Sequence, residues 1–326
     1  MISSPRHFGR VGAVLVTMVV GRIAFCGPDG PVITDQQISI ILRQSQSDDR
    51  FDTRFGEQLA ELGVSNPDRV AVYLDDPKLR TAALSAISAW PAKSPASSDT
   101  LSRLRKLALD REFTYRFAAA CEFLYFSPLD LQLDASAELL HDCKDDDTVL
   151  MAVLTNLNRM SRRAETQALL EAPSGEKFVL FTLGRVEQRL LHGGSTGLLV
   201  RCEGEAFQED SLRERVARLL LKHLTRFTEG ELGTFMHAPL SGRLEFLLQA
   251  GEDYPDMIRK GLIDFFTGLP PEARSRTLRV VLHPDQDELK KSRLLQDVLE
   301  VACKQNAEFR ASRDQIAAGY AAKKKK

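Results

Sequence analysis

Apolar side chains recur along this chain at intervals of three and four residues, and two-residue alternation is almost absent. Ile38, Ile41 and Leu42 open the first stripe, and Phe51, Phe55, Leu59 and Leu62 continue at the same spacing before Gly63. Such a period places the apolar groups on one face of an α-helix. Further helical segments are expected over 70–74, 79–87, 101–108 and 113–124, with breaks at Asp76-Pro77 and Pro91 and a loop over 91–99. The pattern continues over 133–141, 149–160, 165–170, 177–191, 211–227, 240–248, 256–266, 274–281 and 289–305. Leu198-Leu199-Val200 is the nearest approach to a strand, and a tail is expected from Gln315. The pattern predicts an all-α fold of short antiparallel helix pairs.

One helix opening recurs. Asp76-Pro77-Lys78-Leu79-Arg80 leads into Thr81-Ala82-Ala83-Leu84-Ser85-Ala86-Ile87, and Asp110 precedes Tyr115-Arg116-Phe117-Ala118-Ala119-Ala120. Asp147-Thr148-Val149-Leu150-Met151-Ala152-Val153-Leu154 is similar, and Asp256-Met257-Ile258-Arg259-Lys260-Gly261-Leu262 is a weaker echo. An Asp side chain satisfies exposed N–H groups at a helix start, and Pro is tolerated just inside it. Alanines at helical spacing let two helices approach closely. The first three openings, at Asp76, Asp110 and Asp147, lie 34 and 37 residues apart, close to the interval typical of stacked helical repeats. In these features the chain resembles HEAT-repeat proteins, which implies an α-solenoid with its clearest repeats over 70–160; from the residues themselves, no metal or other cofactor is expected. Segments after Pro173 lack the Asp-Pro opening. An irregular helical bundle shares the same caps and stripes and is the alternative architecture.

The N-terminus has the layout of an export signal. Arg6, His7 and Arg10 form a basic region, residues 11–20 an apolar one, and Ala24 and Cys26 the small positions before a cleavage ahead of Gly27. The expected layout is a signal peptide over 1–26, one helical domain over 27–326 and a basic tail over 321–326. The expected location is therefore periplasmic or secreted. Ile23-Ala24-Phe25-Cys26 also resembles a lipobox, with Phe25 where a small residue belongs. A lipoprotein, an uncleaved N-terminal anchor and an ordinary cytoplasmic helix are the alternatives.

Charge and composition narrow the function classes. The 44 basic and 45 acidic residues leave a formal net charge of -1, which disfavours non-specific binding to phosphate backbones. One Trp in the whole chain offers no ladder for stacking on single strands. Cys121, Cys143, Cys202 and Cys303 are widely spaced, without the C-x-x-C of zinc or thioredoxin-like sites, and read as small buried hydrophobes. No His-Glu dipeptide occurs, and the paired His-Glu iron sites of the HEAT-repeat hydroxylases are disfavoured with it. His141-Asp142-Cys143 cannot converge on one ion, because consecutive helical residues point apart. Asp145-Asp146-Asp147 reads as a helix cap rather than a metal site.

Gly193-Gly194-Ser195-Thr196-Gly197 matches G-x-S-x-G, yet a nucleophile elbow needs a strand before the serine and a helix after it. The preceding segment is helical here, so a glycine C-cap is the simpler expectation. Basic residues gather on one segment, where Arg215, Arg218, Lys222 and Arg226 share a stripe at helical spacing. This stripe is the candidate surface for an acidic partner, against the plainer expectation of a solvated face. The expected function is a non-enzymatic scaffold that binds a protein partner, with no specific nucleic acid. A hydrolase working at the 193–197 loop and an envelope component anchored through the N-terminus are the rival expectations.

Overall fold

The computed structural model describes residues 33–45, 59, 67–89, 96–143, 145–228 and 240–323. The N-terminal stretch through Cys26, the stripe residues Phe51, Phe55 and Leu62, the lone Trp90, and Lys324, Lys325 and Lys326 lie outside the described residues. Seventeen α-helices and no strand occur among the described residues, so the fold is all-α. The helices fall into two compact units, one up to Pro128 and one from Leu129. Among the described residues no helix is long and apolar enough to cross a membrane.

In the first unit, α1 (Asp35–Ser45) buries Ile38 and Leu42, as its stripe requires. Helix α2 (Asp68–Ala71) tightens into a 3-10 turn, Val72–Asp75, which ends where Asp76 turns extended. The Asp76 carboxylate accepts a 2.8 Å bond from the Lys78 N–H, and its carbonyl accepts from the Arg80 N–H. Asp76 thus closes a turn just ahead of α3, whose own N-cap position, Leu79, has no side-chain cap. Helix α3 (Arg80–Ser88) follows and buries Ala82, Ala83 and Ala86. Ser97 caps α4 (Ser98–Leu109) by accepting from the Thr100 N–H, and α4 packs along α5 (Arg116–Phe126). Polar side chains then tie neighbouring helices together. Arg69 holds Asp35 at 2.7 Å, Arg103 holds Asp75 at 2.8 Å, and the Tyr73 hydroxyl donates to the Asp35 carbonyl. Arg80 lies 4.8 Å from the centre of the Phe113 ring and 3.6 Å from Asp110, which links two successive openings.

The second unit begins with α6 (Gln132–Asp142) and α7 (Asp147–Met160). Asp146 caps α7 by accepting from the Thr148 and Val149 N–H groups, as expected for the acidic run. Helix α7 buries Val149, Leu150, Val153, Leu154, Leu157 and Met160, a spread wider than one stripe. It is covered by α6, α8 (Ala164–Glu171), α9 (Pro173–Leu191) and α10 (Gly197–Cys202). Then come α11 (Asp210–His223), α12 (Leu240–Asp253), α13 (Pro255–Gly268), α14 (Pro271–Val281), α15 (Asp287–Lys291), α16 (Arg293–Gln305) and α17 (Ala307–Lys323). Helix α16 buries Leu295, Val298, Leu299, Ala302 and Cys303, a regular apolar stripe, and each large side chain contributes about 1.5 to 3 kcal/mol. Cys143 and Cys202 are buried too, and Cys121 is half-buried.

Five features depart from the sequence expectations. Helix α9 starts at Pro173, whose missing N–H costs nothing in a first turn. The apolar run at Leu198 is helical, because α10 packs on α7 and the Asn158 amide donates to its Arg201 carbonyl at 2.6 Å. The segment expected over 211–227 divides into α11 and a 3-10 turn, Leu224–Phe227. The segment expected over 289–305 breaks at Ser292, whose hydroxyl caps α16 by accepting from the Leu295 N–H. Most of the expected tail is helix, since α17 continues to Lys323 and its Tyr320 hydroxyl donates to the Arg279 carbonyl.

Candidate functional site

The 193–197 loop is a helix terminus. Gly193 has φ 85, a left-handed conformation that glycine adopts without steric cost. The Gly194 N–H donates to the Arg189 carbonyl at 2.7 Å and the Gly193 N–H to that of Leu190 at 3.4 Å. These are the two bonds of a Schellman cap on α9. A helix thus enters the turn where a nucleophile elbow needs a strand. The Ser195 N–H donates to Asp147, and its hydroxyl accepts from the Gly197 N–H. Asp147 also holds Arg189 at 2.7 Å, so one carboxylate fixes both the end of α9 and the start of the loop.

The four cations of the expected stripe divide by partner. Arg215 reaches Glu187 on α9 at 2.7 Å, and Arg218 pairs with Glu214 one turn earlier on α11 at 2.5 Å. Arg226 donates to the carbonyls of Leu190 and Gly194, both at 3.0 Å. Its direction follows from the tighter winding after His223, which swings it off the α11 face. Lys222 is exposed to solvent. Three of the four cations therefore serve acceptors of this chain, and Arg226 works as a side-chain cap for α9.

A buried ion pair lies beside them. Glu203, at the C-terminal end of α10, pairs with Arg243 of α12, and their side chains are 10% and 8% exposed. Among the described residues, Glu203 Oε1 and Arg243 Nε and Nη1 have no hydrogen-bond partner. Burial outweighs the attraction of Arg243 and pushes the Glu203 carboxyl up to about 7. Arg243 also lies 5.8 Å from the centre of the Phe227 ring. Nearby in sequence, burial pushes the Cys202 thiol upward, and burial with the charges of Arg226 and Lys222 holds His223 below the usual histidine range. The pair ties the end of α10 to α12.

The segment after Glu203 turns outward at Gly204. A Cβ there would lie 2.0 Å from the Asn158 amide nitrogen, so any larger residue would displace that side chain from its bonds to Arg201 and Ala206. The 3-10 turn Glu205–Phe207 follows, and together with α8, α9 and the start of α11 it walls a groove of about 490 Å³. Leu170, Val179, Leu180 and Leu212 supply its apolar floor. Glu171, Glu176, Glu205 and Glu209 stand around it. The four glutamates arrive from different elements: the end of α8, the first turn of α9, the 3-10 turn, and the residue before α11. Glu176 and Glu209 sit at helix starts, where the helix dipole favours a negative charge.

Helix α9 continues the apolar surface beyond the groove. Leu180 is 44% exposed and Phe181 53%, and the Phe178 and Phe181 rings lie 6.3 Å apart. Leu191 is exposed one helix end further on. No group of three or more His, Cys, Asp or Glu is placed to hold a metal ion among the described residues. Comparison of the chain with known proteins found no matching family model, no matching curated protein and no matching solved structure. Sequence reasoning located the stripe and the loop and missed the groove. The one available signal was the unbroken α9 segment, whose apolar residues exceed the number a single buried face can use.

Proposed function

We propose that this chain is a non-enzymatic helical scaffold, with HEAT-like stacking and an exported location, whose function is to hold a protein partner. The observation that carries this reading is the uncovered apolar face of α9 at Leu180 and Phe181, opening directly onto a groove with a charged rim. Large apolar groups cost free energy in water, and a contiguous exposed set beside polar groups marks an interaction surface. The HEAT-like part is supported by the ties between helices, which recur at repeat-like separations. Examples are Tyr73 to Asp35, 38 residues apart, Tyr254 to Asp210, 44 apart, and Arg213 to Asp253, 40 apart. Export is supported by the basic and apolar stretch before Gly27.

The test is capture of partners from native extract by the full chain and by Phe181→Ser, whose exposed position leaves the fold intact. Partners held by the wild type and lost by the variant, with unchanged circular dichroism, support the reading. An identical set retained by both removes the α9 face from it. Intact mass of the isolated protein checks export: cleavage before Gly27 is expected, and a full-length chain in the cytosolic fraction counts against it.

A further inference from the structure

We infer that the groove between α8, α9 and the 3-10 turn before α11 is a docking site for a basic amphipathic peptide segment of the partner. This rests on the protein-binding reading above and adds the partner's chemistry. The rim carries four carboxylates, and their local compensation is incomplete. Glu205 pairs with Arg162 at 3.2 Å, with both side chains more than half exposed. Glu171 accepts from the Gln167 amide at 2.8 Å, a neutral donor that leaves its charge uncancelled. Glu176 and Glu209 have no side-chain hydrogen bond and no ion pair among the described residues. One rim charge in four thus meets a cation.

The floor sets the rest of the partner's character. Leu170, Val179 and Leu212 are almost fully buried, while Leu180 stands open above them. A volume of about 490 Å³ holds a few side chains and excludes a globular surface. Spread carboxylates suit several separate cations better than one ion, because a single ion needs convergent ligands at bonding distance. An apolar side chain on Leu180 flanked by lysines or arginines on Glu176 and Glu209 satisfies both halves of the site. A helix with an apolar stripe and basic flanks presents these groups at the right spacing. An acidic or neutral segment would leave rim charges facing like charge or desolvated without a partner.

The experiment uses the full chain and a fluorescent helical peptide of about 14 residues with leucines on one face and lysines on its flanks. Anisotropy is measured at low and physiological salt, with a leucine–glutamate peptide as control. The Glu176→Gln, Glu209→Gln double variant is expected to bind the lysine peptide about tenfold more weakly and with a flatter salt dependence. Leu180→Ala should also weaken binding. The double variant Asp285→Asn, Asp287→Asn removes the same charge elsewhere in the unit and should bind as the wild type does. Equal losses in both double variants reduce the effect to net charge and overturn the proposal. Unchanged binding in the rim variant overturns it as well. A chain ending before Ala321 that binds markedly tighter makes the chain's own lysine tail the occupant, which also overturns it. Loss of native partners in Phe181→Ser but not in the rim variant sinks the groove assignment alone. Retention of all partners by both variants removes the groove and the α9 face together, and absence of any captured partner with the wild type sinks the protein-binding reading itself.

Discussion

The α10–α12 region and the groove beside it carry comparable charge and differ in where that charge is answered. In the first, Arg243 meets Glu203, Arg215 meets Glu187, and Arg226 meets two carbonyls at the end of α9. In the second, Glu176 and Glu209 stand open to solvent. The difference separates two uses of charge. Ions answered inside the chain set the positions of helices, while ions left open are available to another molecule. Density of charge in the sequence does not distinguish the two, and the basic stripe illustrates this.

The largest expected effect breaks the answered side. The Glu203 carboxyl holds its proton up to about 7 in the folded chain, above the ordinary glutamate value it regains on unfolding. Stability from this group is therefore full below the ordinary value and falls as pH rises through 7, by on the order of 3 kcal/mol. Urea titrations across this range should show the decline, and Glu203→Gln should flatten it. Arg243→Met should cost about 3 to 5 kcal/mol above pH 8, where the buried carboxylate loses its counter-charge, and far less at pH 5. Equal losses at both pH values would show that the guanidinium acts only by filling space.

A graded series along the stripe comes next. Arg226→Met removes two charged donors from α9 carbonyls and should cost about 1 to 3 kcal/mol. Arg215→Ala should cost about 0.2 to 1 kcal/mol, Arg218→Ala about 0.3 to 0.5, and Lys222→Ala nothing measurable. Chemical denaturation midpoints check the order, and a flat series would mean that Arg226 does not cap α9. The smallest effect belongs to the open side. Glu176→Gln and Glu209→Gln should leave the midpoint within about 0.5 kcal/mol of wild type, because no bond within the chain is lost. A clear destabilisation would place those carboxylates among the answered charges instead.

Most of the helices were legible because apolar spacing and caps are local properties. Ser97 and Asp146 cap helices whose start the pattern marks to within a few residues, and Asp76 closes the turn ahead of α3. The misreadings share a different origin. The apolar Leu198-Leu199-Val200 run has no period of its own and becomes helical through its packing on α7. The end of α11 and the break at Ser292 depend on which neighbours the following residues meet. The groove was illegible for a sharper reason: its glutamates come from separate elements, and each alone looks like an ordinary solvated residue. Glu203 and Glu205 show the limit most clearly. Two residues apart, one is sealed against Arg243 and the other faces the groove, with Gly204 passing beneath Asn158 between them.

The tyrosine and arginine clasps between helices have a consequence for how the chain is made. The tyrosine and arginine clasps described above reach at most 44 residues along the sequence. Closing such a short span costs little chain entropy, and contacts of low sequence separation form fast. During synthesis, Tyr73 can lock the start of α1, and later Tyr254 that of α11, as soon as each emerges, without waiting for residues still inside the ribosome. Each clasp then fixes its pair of elements before the next pair appears, which limits the time any one of them is left unpaired beside other nascent chains.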